Sequence, residues 1–116
     1  DAGRALPHDT PIQIMDNHHQ WKKDAPSGTA LLLGAALAEA MGQSNDHVTY
    51  ESIREGETIG DHRVSLILAG ETLELVHRAS DRTIYARGAL DAGRWLIEQT
   101  PGMYSAQDWL SGLINR

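Results

Sequence analysis

The chain has 116 residues, 41% of them hydrophobic and 22% charged, a composition unlike that of disordered segments and long enough for one domain that buries roughly two-thirds of its unfolded surface. Sixteen acidic residues against ten basic give a formal charge of -6, which argues against a nucleic-acid surface and makes any anion site a local feature. Cysteine is absent, which excludes disulfide and thiolate chemistry, and the longest apolar run, Ala30 to Ala38, is too short to cross a bilayer. With no signal peptide at Asp1, these features predict a cytoplasmic protein without nucleic-acid or membrane partners.

In chain order, Ala2 to Leu6 reads as the end of a helix closed by Pro7. Ile12 and Ile14 alternate with polar neighbours in a short strand that delivers Asp16 to His19 at its end. Residues 28 to 41 form a helix with Leu33, Leu37 and Met41 at helical spacing and Gly42 as its stop. Val48, Tyr50 and Ser52 mark a second strand; Val64, Leu66 and Leu68 mark a third, and Leu73 and Leu75 continue the alternation past Ala69-Gly70, so residues 62 to 80 read as a hairpin. From Arg82 to Gln99, Tyr85, Gly88, Ala89, Ala92, Trp95 and Leu96 line one face of a long helix ended by Pro101-Gly102. The pattern is that of an α+β fold: a mostly antiparallel or mixed open sheet, a helix after the paired histidines and a long C-terminal helix, in one domain over residues 1 to 116.

Most of the chemistry falls between His18 and Ala30. Pro26 turns the preceding residue away from helix and Ser27 is a good N-cap. Gly28, Thr29 and Ala30 then offer unpaired N–H groups at the positive end of a helix, a ready site for a carboxylate or phosphate. Lys22 adds a full charge, and His18 and His19 can donate hydrogen bonds or a proton near neutral pH. Asp24 reads as a hydrogen-bond acceptor for the loop, and His77, in line with Leu73 and Leu75, as a buried structural histidine. Arg82 sits at a helix start, where its charge opposes the dipole, so another role is expected of it. No His-x-His or His-x-x-x-His pair occurs, so no metal site is predicted. Nor does the Pro26-Ser27-Gly28-Thr29 turn have P-loop spacing.

The run His18-His19-x-x-Lys22-x-Asp24-Ala25-Pro26-Ser27-Gly28-Thr29-Ala30 does not stand alone. It is followed in order by Gly60-Asp61-His62, Gly70-Glu71, His77-Arg78-Ala79-Ser80-Asp81-Arg82, Ala86-Arg87-Gly88-Ala89, Trp95-Leu96 and Pro101-Gly102-Met103-Tyr104. This series resembles the C-terminal half of the 4-hydroxy-tetrahydrodipicolinate reductases, NAD(P)H-dependent enzymes of the diaminopimelate route of lysine biosynthesis. The resemblance implies that His18 donates a proton to a small cyclic dicarboxylate, with Lys22 as its catalytic companion. It further implies that His19 and Lys22 hold one carboxylate, that Ser27, Gly28 and Thr29 hold the other, and that Arg82 faces the substrate. It also implies a homo-oligomer, in the family a tetramer, and NADPH or NADH as cofactor of the complete enzyme.

No two of the eleven glycines are spaced Gly-x-Gly, so the dinucleotide-binding domain is expected to be missing, with no cofactor bound and no redox activity in this chain alone. The start at Asp1, without methionine, fits a fragment. Two departures from the family pattern stand out: Gln20 replaces a frequent arginine, and only Glu57-Thr58-Ile59 separate Arg54-Glu55-Gly56 from Gly60-Asp61-His62, where the family has a longer segment with tetramer contacts. The alternative reading is a stand-alone dicarboxylate-binding or oligomerisation module without redox activity.

Overall fold

Alternation of Ile12, Ile14 and Asp16 with Gln13, Met15 and Asn17 gives a strand one dry face, and β1 (Ile12–His18) buries those first three residues while Gln13 stays exposed. The computed structural model describes residues 1–115. β1 lies inside a four-stranded sheet of order β2-β1-β3-β4. β2 (Val48–Arg54) runs parallel to β1, β3 (Gly60–Leu68) antiparallel to it, and β4 (Glu71–Ala79) closes the expected hairpin with β3. The fold is therefore α+β with a mixed sheet.

The parallel β1–β2 pair requires a crossover, supplied by α2 (Gly28–Met41) and a 3-10 turn at Asn45–His47. Ser27 caps α2 by accepting the Ala30 N–H at 3.1 Å, and Gly42 ends it with φ 66°, a left-handed conformation that suits glycine. The face of α2 turned to the sheet includes Met41 of the expected Leu33–Leu37–Met41 row and otherwise small residues. Ala30, Gly34, Ala38 and Met41 are buried, while Leu33 and Leu37 pack only partly against the core. Small residues let the helix backbone approach the sheet closely, and Ile12, Ile14, Val48, Val64 and Leu66 fill the space beneath.

α2 packs over β1 and β2, which leaves the same face of β4 uncovered within this part of the molecule. Leu73 and Leu75 are exposed there, and so is His77. The buried, hydrogen-bonded role expected for His77 is thus corrected: it follows the leucine row, but that row is not part of the core.

The chain divides into two compact units, Asp1–Ser80 and a second that begins at Asp81. The second holds α3 (Thr83–Ile97), the long helix expected, and α4 (Ala106–Ile114), which the hydrophobic pattern did not reveal. A capping box starts α4: the Ser105 hydroxyl accepts the Asp108 N–H at 3.2 Å, and Asp108 Oδ2 accepts the Ser105 N–H at 2.7 Å. Trp95 of α3 meets Tyr104 edge-on with centroids 5.5 Å apart, and its Nε1 lies beside Gly112 of α4. The apolar stripe of α3 is thus covered at Trp95 by its own unit, while Tyr85 and Leu96 remain exposed.

Gly34 tests the close approach of α2. A Cβ there would collide with the Tyr50 hydroxyl, and it would lie 2.9 Å from Tyr50 Cζ and 3.2 Å from Val48 Cγ1. Gly34→Ala gains up to about 1 kcal/mol of helix propensity but overpacks this contact at a cost of about 1 to 3 kcal/mol. A lower denaturation midpoint than wild type is expected; a raised midpoint would show that Tyr50 moves aside freely.

Candidate functional site at the end of β1

The strand that buries Ile12 and Ile14 also buries Asp16, whose side chain is fully inaccessible. A carboxylate in that position needs partners. The register supplies them, with Ser52 of β2 opposite Asp16 on one side and His62 of β3 on the other. Asp16 Oδ2 accepts the Ser27 N–H at 2.7 Å and the Ser52 hydroxyl at 3.3 Å, while Oδ1 accepts from the Arg54 guanidinium and lies 3.5 Å from His18 Nδ1. Burial pushes the Asp16 carboxyl up, but Arg54 and the Ser27 N–H outweigh it and hold the group below the usual carboxylate range. Asp16 is therefore an anion at neutral pH.

His18, two residues on, shares the face of Asp16. Its ring meets that of His62 edge-on, with centroids 5.1 Å apart. Burial lowers the basicity of His18, Asp16 opposes this, and Arg54 and Lys22 lower it further. His62 is depressed first by burial and then by His18; Asp16 and Asp61 work against this and His77 with it. Both imidazoles are thus biased to the neutral form. His62 Nε2 lies 3.0 Å from Ser27 Oγ, so the N-cap hydroxyl that starts α2 is held from the sheet as well as from the helix.

The loop from His19 to Pro26 closes over this cluster. Its first turn is pinned by Lys22 N–H to His19 C=O at 3.1 Å, and its end by Arg54 Nη2 to Asp24 C=O at 2.8 Å. Lys22 Nζ donates to Asp24 Oδ1 at 2.9 Å, so Asp24 is the hydrogen-bond acceptor expected. The Lys22 interaction leads in holding the Asp24 carboxyl below its ordinary value. Because β2 and β3 flank β1, the link over residues 55 to 59 must pass the end of β1. It is tied there by Glu55 N–H to His18 C=O and Gln20 N–H to Gly56 C=O, both 3.1 Å, with Gly56 at φ 57°.

Of the residues singled out in the sequence, His18 and Ser27 meet around Asp16, and Lys22 stands at the edge through Asp24 and Arg54. His19 is half-buried, its ring 6.0 Å from Trp21, and its Nδ1 lacks a hydrogen-bond partner among the described residues. Gly28 and Thr29 lie exposed in the first turn of α2, where their N–H groups find no acceptor within the helix. One expectation changes: the Ser27 N–H is already given to Asp16, so Ser27 can offer an anion only its hydroxyl. Arg82 is the exposed N-cap of α3 and belongs to the second unit. Asp16, Ser52, Arg54 and His62 were not anticipated in the site. The sequence did carry a signal for Asp16, an acid at the next place of the dry Ile12–Ile14 row. Among the described residues, no group of three or more His, Asp or Glu is arranged to hold a metal ion, and no helix is long and apolar enough to cross a membrane.

Comparison with known proteins defines the class. A family model described as "Dihydrodipicolinate reductase, C-terminus" matches residues 1–110, and the chain belongs to that family. The 4-hydroxy-tetrahydrodipicolinate reductase of Geotalea uraniireducens is 35% identical over 127 residues, covering 95% of this chain and 48% of that protein. Those of Magnetococcus marinus and Zymomonas mobilis are each 42% identical, over 85% and 94% of this chain and 43% and 50% of theirs. The chain spans about half the length of the curated relatives it matches. The aligned span of 127 residues exceeds the 116 of this chain, so the relative carries residues with no counterpart here. Among solved structures, the dipicolinate-bound dihydrodipicolinate reductase of Paenisporosarcina sp. TG-14 shares the fold with a TM-score of 0.65 at 22% identity, over 77% of this chain and 41% of that one.

Removing the Asp16 charge should be costly. Asp16→Asn leaves the Arg54 guanidinium without its counter-charge and is expected to destabilise by about 3 to 5 kcal/mol. The depressed Asp16 carboxyl adds stability above about pH 4 that is lost as pH falls through its folded value; the depressed His18 and His62 add stability above about pH 6.5 that is lost below it. Urea midpoints measured against pH should fall in these two stages, and only the more acidic stage should flatten in Asp16→Asn.

Proposed function

We propose that this chain is the substrate-binding and proton-donating domain of a 4-hydroxy-tetrahydrodipicolinate reductase. The observation that carries the reading is the placement of one buried carboxylate, Asp16, against both the N-terminus of α2 and the His18 ring. A small cyclic dicarboxylate fits the groups that surround it. One carboxylate accepts from the Gly28 and Thr29 N–H groups and the Ser27 hydroxyl at the positive helix end. The other accepts from Lys22 and His19, with Lys22 released from Asp24. The dipicolinate of the Paenisporosarcina relative is a ligand of this chemistry.

His18 then acts as the acid. Unliganded, it is biased to the neutral form; a bound dianion nearby favours the imidazolium and reverses that bias. Asp16 faces Nδ1, which leaves Nε2 to give up the proton. NADPH or NADH would serve the complete enzyme from outside these residues. No Gly-x-Gly turn occurs here and the mixed sheet lacks a parallel nucleotide-binding core, so the residues present do not fit a dinucleotide. The homo-oligomer reading is supported by β4, an edge strand with Leu73 and Leu75 exposed by 41% and 55%.

Titration calorimetry with pyridine-2,6-dicarboxylate tests the site. Wild type should bind, taking up protons between about pH 6 and about pH 8, and Lys22→Ala should weaken binding by about 1.5 to 3 kcal/mol. His18→Gln should retain most of the affinity and lose most of the proton uptake. Equal affinity of Lys22→Ala and wild type would remove Lys22 from the site, and uptake unchanged in His18→Gln would move the proton to another group.

A further inference from the structure

We infer that His62 is a positioning residue for anion binding, acting through the Ser27 hydroxyl, an inference that rests on the dicarboxylate reading above. The reasoning is a count of hydrogens and lone pairs. Ser27 Oγ has two lone pairs and one hydrogen. One lone pair accepts the Ala30 N–H that caps α2, at 3.1 Å. The remaining partner is His62 Nε2 at 3.0 Å, and both side chains are buried, Ser27 being 3% and His62 9% exposed.

Two arrangements satisfy that contact. If the Ser27 hydroxyl donates to Nε2, its only hydrogen is consumed inside the protein and the oxygen presents nothing but lone pairs to an incoming carboxylate. If Nε2–H donates to Oγ, both lone pairs are filled and the hydroxyl hydrogen is free to turn toward the ligand. A carboxylate can only accept, so the ligand selects the second arrangement. The Ser27 N–H cannot substitute, because Asp16 holds it at 2.7 Å. His62 thus decides whether the N-cap serine is an anion donor, without itself touching the ligand.

The register explains why His62 is available for this. It lies opposite Asp16 on β1 and opposite His77 on β4, on the face that α2 covers at β1. The sheet therefore delivers its ring to the cap of the helix.

A double-mutant cycle on the whole chain, read by calorimetry with pyridine-2,6-dicarboxylate, tests the inference. His62→Leu leaves the Ser27 hydrogen present but unaimed, because nothing fills the second lone pair of Oγ, and should weaken binding about fivefold, the scale of one neutral hydrogen bond. His62→Gln, whose amide N–H can still donate to Oγ, should recover most of that loss. In a Ser27→Gly background, which preserves a tolerated N-cap, His62→Leu should change affinity less than about twofold, because the intermediary is gone. Nitrogen-15 NMR of the His62 ring in the wild-type complex gives a readout independent of variant folding and should show Nε2 protonated. An unprotonated Nε2 in the complex, or a His62→Leu effect of equal size with and without Ser27, overturns the inference while leaving dicarboxylate binding intact. Failure of wild type to bind the probe would instead overturn the functional reading and this inference together.

Discussion

The Asp16 carboxylate joins the sheet to everything that surrounds the site. Buried on the dry face of β1, it holds the first residue before α2 through the Ser27 N–H, the end of β2 through Ser52 and Arg54, and faces the His18 ring. A charge so placed is stable only while each partner stays in place. The position of the helix N-terminus and the orientation of an imidazole are consequently one constraint, set by a residue that any ligand would leave untouched. Ridge-and-groove packing of α2 alone could not fix that position, since its sheet-facing row of Ala30, Gly34 and Ala38 is nearly smooth.

Local chemistry made much of this legible in the sequence. Ser27 and Gly42 bracket α2 because a cap and a stop are decided by single residues, and the four strands follow from period-two alternation. The motif from His18 to Thr29 was readable for the same reason, being contiguous. What stayed hidden depends on register. Arg54 and His62 lie 38 and 46 positions from Asp16 by sequence number, and only the pairing of β1 with both β2 and β3 brings them to it. The small residues on the sheet-facing side of α2 stayed hidden because leucines dominate its hydrophobic pattern, whereas close packing selected Ala30, Gly34 and Ala38. His77 was misread on the same grounds: alternation tells which face a residue shares, not whether anything covers that face. α4 is short, and its clearest signal was the Ser105-x-x-Asp108 cap rather than any apolar period.

The electrostatics of the site set the His18 ring apart from the cations around it. Burial, with Arg54 and Lys22 behind it, lowers the basicity of His18, while Asp16 supplies the opposing field. On the proposed reading an anionic ligand tips this balance toward the imidazolium, so that occupancy and protonation change together. The Lys22–Asp24 pair belongs to the same economy of charge: in the absence of a ligand the ammonium already has a carboxylate beside it, on the same loop and within 2.9 Å.

Among the described residues, two hydrogen bonds tie the link between β2 and β3 to the site, one at Glu55 and one at Gly56, and both are made by backbone atoms. Backbone ties are indifferent to side-chain identity, so the rim they support tolerates substitution; the left-handed Gly56 is the exception. Beyond Gly56, residues 57 to 59 only span the distance to β3. Length variation is therefore absorbed downstream of the ties, and a longer arm could be spliced in at that point, adding surface for a neighbour while the geometry around Asp16 is inherited unchanged.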